Sequence, residues 1–146
     1  AVRQWSETRT VHNLTIDDIH TYHVLAGNTP VLVHNTNQFA CEVTISKSTH
    51  PQSAQHIEDA QAAGHPSILT INRPGAKANR AASLAGHPKV PGKQLDEYPP
   101  AMFQEGGAGA SVRPIDGGDN GGAGARIGNR LRRYPDGTPV KITVVD

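Results

Sequence analysis

Two neighbouring carboxylates, Asp96 and Glu97, stand ahead of a glycine-rich run, Glu105-Gly-Gly-Ala-Gly-Ala-Ser-Val-Arg, and an acid–amide pair, Asp119-Asn120, follows it. Hydrolysing a phosphodiester at neutral pH needs a base to activate water and a cation to stabilise the pentavalent phosphate and leaving oxygen. It also needs cationic groups to hold the backbone. Asp96 or Glu97 can supply the base. Asn120 with Asp119, Glu97 or Glu105 makes an oxygen ligand set of the kind that suits Mg2+ or Mn2+. Phosphate would be gripped by Arg73, Lys77 and Arg80, which recur at helical spacing, by Arg113, and by Arg126 and Arg130 on a shared basic face. Each feature also has a plainer role. Acid–amide pairs in glycine-rich loops cap turns, and basic helix faces are often only solvated.

These groups need elements to hold them. Pro99-Pro100 disfavours ladder bonds, so the first strand of a hairpin is expected at Ala101–Glu105. Gly106-Gly-Ala-Gly turns the chain, and Ala110–Ile115 returns. A helix is expected at Gly122–Tyr134 with Ile127 and Leu131 as its apolar stripe, giving a hairpin followed by a helix. Upstream, Pro51–Ala63 predicts a helix with Ala54, Ile57, Ala60 and Gln61 on one stripe, stopped by Gly64. His56 and Asp59 are neighbours on that helix and could pair. Ser67-Ile-Leu-Thr-Ile-Asn reads as a central strand, Ala76–Ala85 as a helix, and His87–Gln94 as a connecting loop. Cys41-Glu-Val-Thr-Ile predicts a strand with Cys41, Val43 and Ile45 on one face, and Lys141-Ile-Thr-Val-Val a terminal strand. The pattern as a whole is α+β.

The first 35 residues carry different chemistry. Two or three short strands end at His34-Asn35. An asparagine amide can attack its own main-chain carbonyl and release the following residue, with a preceding histidine polarising that carbonyl. Asn13-Leu-Thr-Ile-Asp-Asp-Ile-His-Thr-Tyr followed by Val31-Leu-Val-His-Asn resembles the C-terminal blocks of HINT (intein-like) self-processing domains, in particular those preceding the toxin tips of polymorphic, Rhs-type toxins. The resemblance implies that His20 and His34 assist, that Asn35 cyclises, and that the product starts at Thr36. The expected division is therefore 1–35, the end of a processing domain, and 36–146, the released domain. The start lacks both Met and signal-peptide anatomy, which suggests a piece of something longer.

Composition bounds the rest. Hydrophobic content is 36% and aromatic content 4%, with 15 Gly and 11 Pro, so the core is small, aliphatic and interrupted by turns. A net charge of +1 points to no partner, and only local basic patches could attract a polyanion. One cysteine, Cys41, excludes a disulfide framework and a cysteine-cluster zinc site. No apolar run reaches membrane-spanning length.

Several ordered motifs carry a second resemblance: His56-Ile-Glu-Asp-Ala, Gly64-His-Pro-Ser-Ile-Leu-Thr-Ile-Asn-Arg, Gly75-Ala-Lys-Ala-Asn-Arg, Asp96-Glu-Tyr-Pro, Glu105 to Arg113, Asp119-Asn, Ile127-Gly-Asn and Tyr134-Pro-Asp-Gly-Thr. Across residues 45–145 the chain resembles the secreted bacterial deoxyribonucleases known as NucA and NucB. That likeness implies a small ββα-metal (His-metal finger-like) nuclease core with extra helices and strands, cleaving DNA without marked sequence preference with the help of a divalent cation. In that branch an acid replaces the general-base histidine, which falls on Asp96, and the helix-start amide on the metal side is Asn120. Together the two resemblances imply a toxin delivered from a bacterium into a target cell and neutralised by an immunity protein. An RNase on the same scaffold and a non-catalytic nucleic-acid-binding module are the other readings; the second predicts salt-sensitive binding without turnover.

Overall fold

The computed structural model describes the backbone of residues 21–26 and 29–34 and the whole of residues 39–146. The chain divides into two compact units, Ala1–Asn37 and Gln38–Asp146. In the first, β1 (Thr21–Ala26) and β2 (Thr29–His34) form an antiparallel hairpin in which Thr21 stands opposite His34. His20 and Asn35 lie outside the described residues.

The second unit is a mixed α+β domain. Its main sheet has three strands in the order β3 (Cys41–Ser46), β7 (Pro139–Val145) and β4 (Ile68–Thr70), with β3 parallel and β4 antiparallel to β7. Cys41, Val43 and Ile45 alternate inward from β3 and meet Val140 and Ile142 of β7, both fully buried. The terminal strand is thus the central one. Ser67–Asn72, expected there, supplies only a three-residue edge strand. After it, Ile71 bridges to Phe103 and Asn72 donates to the Met102 carbonyl, so the segment leaves the sheet to pin residues 102–103.

α1 (Pro51–Ala62) begins at its proline and ends ahead of Gly64, whose φ of 103° no ordinary residue adopts cheaply. It buries Ser53, Ala54, His56, Ile57 and Ala60. α2 (Ala76–Ser83) is short and mostly exposed.

The hairpin pairs β5 (Gln94–Tyr98) with β6 (Ser111–Ile115), and α3 (Gly117–Leu131) follows directly. The first strand lies before the two prolines rather than after them. Residues 101–105 form turns because Phe103 is sunk in the core and the Asn79 amide donates to the Ala101 and Phe103 carbonyls, at 3.1 and 2.8 Å. α3 starts before the expected Gly122 and stops short of Tyr134. Its stripe of Ala123, Ile127 and Leu131 packs into the core. Tyr98 closes the hairpin against α1: its hydroxyl donates to the Pro66 carbonyl at 2.9 Å and accepts from Gln61 at 2.7 Å. Burial, only partly offset by Gln61, pushes that phenol up to about 12.

Candidate active site

Successive side chains of a strand point to opposite faces, and β5 uses both. Gln94, Asp96 and Tyr98 share one face, where they bond Asn120 of α3, His56 of α1 and Gln61 of α1 respectively. Glu97 lies on the other face and bonds Arg80 of α2. The adjacent carboxylates are therefore directed apart rather than together.

Asp96 keeps 19% of its side chain exposed, and one oxygen takes a 2.8 Å bond from Nδ1 of His56, whose ring is completely buried. On the far side of that ring, Nε2 meets the Ser111 hydroxyl at 2.9 Å. Opposite Asp96 in the ladder, Arg113 reaches Asp59 at 2.8 Å. The Gln55 amide, and then the Arg113 guanidinium, hold the Asp59 carboxyl below its usual range. The His56–Asp59 pair that their spacing allowed does not form. His56 turns into the core, while Asp59 stays at the surface with Gln55 and Arg113.

Glu97 is buried to 4% exposure. Its Oε1 accepts from Arg80 at 2.6 Å, and its Oε2 is enclosed without a hydrogen-bond partner. A buried carboxylate oxygen left so is costly unless a cation or donor meets it.

Asp119 and Asn120 diverge in role. Both Asp119 oxygens accept main-chain N–H groups at the start of α1, from Gln52 and Ser53, each at 2.9 Å. The residue is a helix cap supplied from another element. Burial pushes its carboxyl up, but the contacts with Ser53 and Gln52 and the nearby His50 outweigh it and hold the group low. Next to it, Asp116 is held low by Lys93 and then Gln52. Asn120, in the first turn of α3, donates its amide to Gln94 at 3.2 Å. Glu105 accepts the Thr70 N–H at 2.8 Å and so belongs to the edge of β4.

Among the described residues no three His, Cys, Asp or Glu side chains converge on a point that could hold a metal. A Mg2+ ion that keeps most of its waters needs only one or two protein oxygens. The Asn120 side chain, which lines an open groove, is a donor of that kind; the orphaned Glu97 Oε2 is another, but on the opposite face of β5. The donor chemistry of Asn120 in the open groove fits such an ion.

The sequence model of the family described as Deoxyribonuclease NucA/NucB matches residues 41–143, from β3 through β7. The chain is also 43% identical to the DNA-entry nuclease of Bacillus subtilis (strain 168) over 109 residues, 75% of this chain and 74% of that protein. The chain belongs to the NucA/NucB deoxyribonuclease family.

A nuclease must present cations to its substrate, and few of the basic residues singled out in the sequence are placed to do so. Arg73 donates to the Leu131 carbonyl, capping the end of α3, and pairs with Asp136. Arg126 and Arg130 donate to the Thr44 and Glu42 carbonyls on the outer edge of β3, and that edge is where their groove lies. Lys77 is exposed on α2. Arg80 alone of the set faces the groove beside Asn120, an open cleft of about 580 Å³ that Lys89, Lys93, Gln94 and Leu95 also line.

His56, Ser111, Gln94, Lys89 and Lys93 were not among the residues singled out as site candidates. His56 was legible: positions 53, 56, 57 and 60 form one helical stripe, so a histidine there faces the core. The two lysines sit in a Pro/Gly loop whose course no local pattern reveals. Among the described residues no helix is long and apolar enough to cross a membrane.

Proposed function

We propose that residues 36–146 are a divalent-metal-dependent, sequence-nonspecific DNA endonuclease with a ββα-metal core formed by β5, β6 and α3. The observation that carries this reading is the shared face of β5. It sets Asp96, held by His56, beside the Gln94–Asn120 pair at the head of α3. Asp96 is the general base. Its remaining exposure lets it take a proton from the attacking water while His56 fixes its orientation. Asn120, on the same face of β5 as Asp96, would hold Mg2+ or Mn2+, which when bound supplies positive charge to the developing phosphorane and departing 3′ oxygen, whereas Glu97 points to the opposite face. Arg80, Lys89 and Lys93 flank the groove and would contact the phosphates of the strand. Asp119 and Glu105, already committed to main-chain N–H groups, are not needed as ligands in this scheme.

The first 35 residues fit the end of a processing domain that would cut after Asn35 with His20 and His34 assisting. The nuclease would then be the toxic tip of a larger polymorphic toxin, delivered into a target cell and restrained at home by an immunity protein.

The test is plasmid conversion by the purified chain with Mg2+ or Mn2+, with and without EDTA, and with RNA alongside. Metal-dependent nicking and linearisation of DNA is expected. Supercoiled plasmid that survives every metal condition overturns the reading, and faster loss of RNA than DNA favours an RNase. Asp96→Asn is expected to lower kcat by about 10²–10⁴-fold, the usual range for a general base.

A further inference from the structure

We infer that His56 is a positioning residue for the nuclease reaction, orienting the Asp96 carboxylate with Ser111 as its anchor; the inference rests on the reading of Asp96 as base. Three elements meet at this ring: His56 comes from α1, Asp96 from β5 and Ser111 from β6. An ionised carboxylate can only accept, so at 2.8 Å from Asp96 Oδ2 the proton sits on Nδ1. On the other side of the ring Nε2 bonds the Ser111 hydroxyl at 2.9 Å, which fixes the ring plane.

Serine, histidine and carboxylate occur here in the order used by acyl-transfer enzymes, where the histidine is the base and the hydroxyl attacks. Burial reverses the direction of service. The imidazole has no exposed surface and cannot touch a substrate, whereas Asp96 retains 19%. The carboxylate faces the reaction, and the histidine and serine lie behind it. Strand alternation alone sends the Asp96 side chain to the right face but leaves its torsions free. The Nδ1–H bond selects one orientation of the carboxylate, so one oxygen is occupied and the other is left for water. A base misplaced by about 1 Å can cost on the order of 10²-fold in rate.

A buried histidine linking three elements could equally be structural, so the variants must separate the roles. In His56→Asn the amide nitrogen takes the place of Nδ1 and keeps the bond to Asp96. In His56→Gln it takes the place of Nε2 and loses that bond. Both remove the ring and put similar polar groups in the core. We expect His56→Gln to lose about 10²-fold in kcat with KM nearly unchanged, and His56→Asn to stay within about tenfold of wild type. Rates are scaled to the folded fraction from thermal melts of the full chain. Ser111→Ala, which leaves Asp96 bonded but frees the ring plane, is expected to fall between the two. Equal kcat for the Asn and Gln variants, or a change confined to KM, overturns the inference. Asp96→Asn reports on the underlying reading. If it is inactive while the two His56 variants match, only the role of His56 fails. If it is fully active, both fail.

Discussion

Asp119→Ala separates two roles that the same carboxylate could have. The start of α1 has no cap of its own, because His50 at the N-cap position makes no side-chain bond to the helix. The Gln52 and Ser53 N–H groups, at the second and third helical positions, are satisfied instead by the two oxygens of Asp119. Loss of a cap costs about 0.5–2 kcal/mol, and a negative charge at a partly buried helix start adds roughly 0.3–2 kcal/mol. Removing both bonds should therefore destabilise the domain by about 2–3 kcal/mol, or roughly 10 °C in Tm for a domain of this size. Asp119→Asn, which can accept one N–H but presents its own amide to the other, should lose about half as much.

The pH dependence follows from the direction of the shift. Asp119 titrates lower in the folded domain than its ordinary value of 3.8, so its stabilisation is complete above that value and disappears as pH falls through the lowered folded one. The Tm difference between wild type and Asp119→Ala should be constant from neutral pH down to about 4 and shrink below it. Circular dichroism melts across that range measure it. An Asp119→Ala protein that melts with wild type at pH 7 refutes the capping argument. If that protein is also inactive and no longer gains stability from Mg2+, Asp119 belongs to the metal site.

Arg80→Ala leaves the buried Glu97 carboxylate with neither oxygen paired, so a loss of about 1–3 kcal/mol is expected, and adding Glu97→Gln should recover part of it in the same melts. Lys89→Ala should lower the slope of log K against log salt for DNA binding by about one, because Lys89 lines the groove beside Asn120; Arg126→Ala, committed to the β3 edge, should leave it unchanged. Gly124→Ala should stabilise α3 by about 0.5–1 kcal/mol, since its added Cβ meets nothing within 4 Å. Gly122→Ala should not, since there the Cβ would lie 2.5 Å from the His50 ring.

Local periodicity made much of this fold legible. The alternation Cys41, Val43, Ile45, the stripe through Ala54, Ile57 and Ala60, and the proline start of α1 are all local signals, and each element formed where its signal lay. What failed was non-local. Leu95 and Tyr98 flank two acids, so β5 carries no clean alternation. Its identity comes from pairing with β6 and from the packing of Tyr98 under α1. The first turns of α3 are rich in glycine, which argues against a helix at about 1 kcal/mol per residue; the Asp119 bonds to α1 and the buried Ala123 override it. Side-chain partnership was hidden for the same reason. Arg73, Arg126 and Arg130 are cationic and helically spaced, but main-chain carbonyls far along the chain claim them. Asp96 and Glu97 look like one acidic pair only until a strand is drawn through them.

The Asn120–Gln94 bond joins α3 to β5 directly, and α1 reinforces that junction. At its start, the Gln52 and Ser53 N–H groups take Asp119, while Gln52 also brackets Asp116, fixing the first turn of α3 on which Asn120 rides. One turn later His56 takes Asp96, and at its end Gln61 takes Tyr98. Three contacts at about one-turn spacing thus fasten one helix to the middle and the end of β5 and to the head of α3. The position of Asp96 relative to Asn120 is thus supported by α1, with a pitch of about 5.4 Å per turn, together with the Asn120–Gln94 bond. Substitutions at Asp119 and His56 share that helix as their common support. Their effects on rate should be non-additive, because freeing α1 at one end already relaxes what the other end holds.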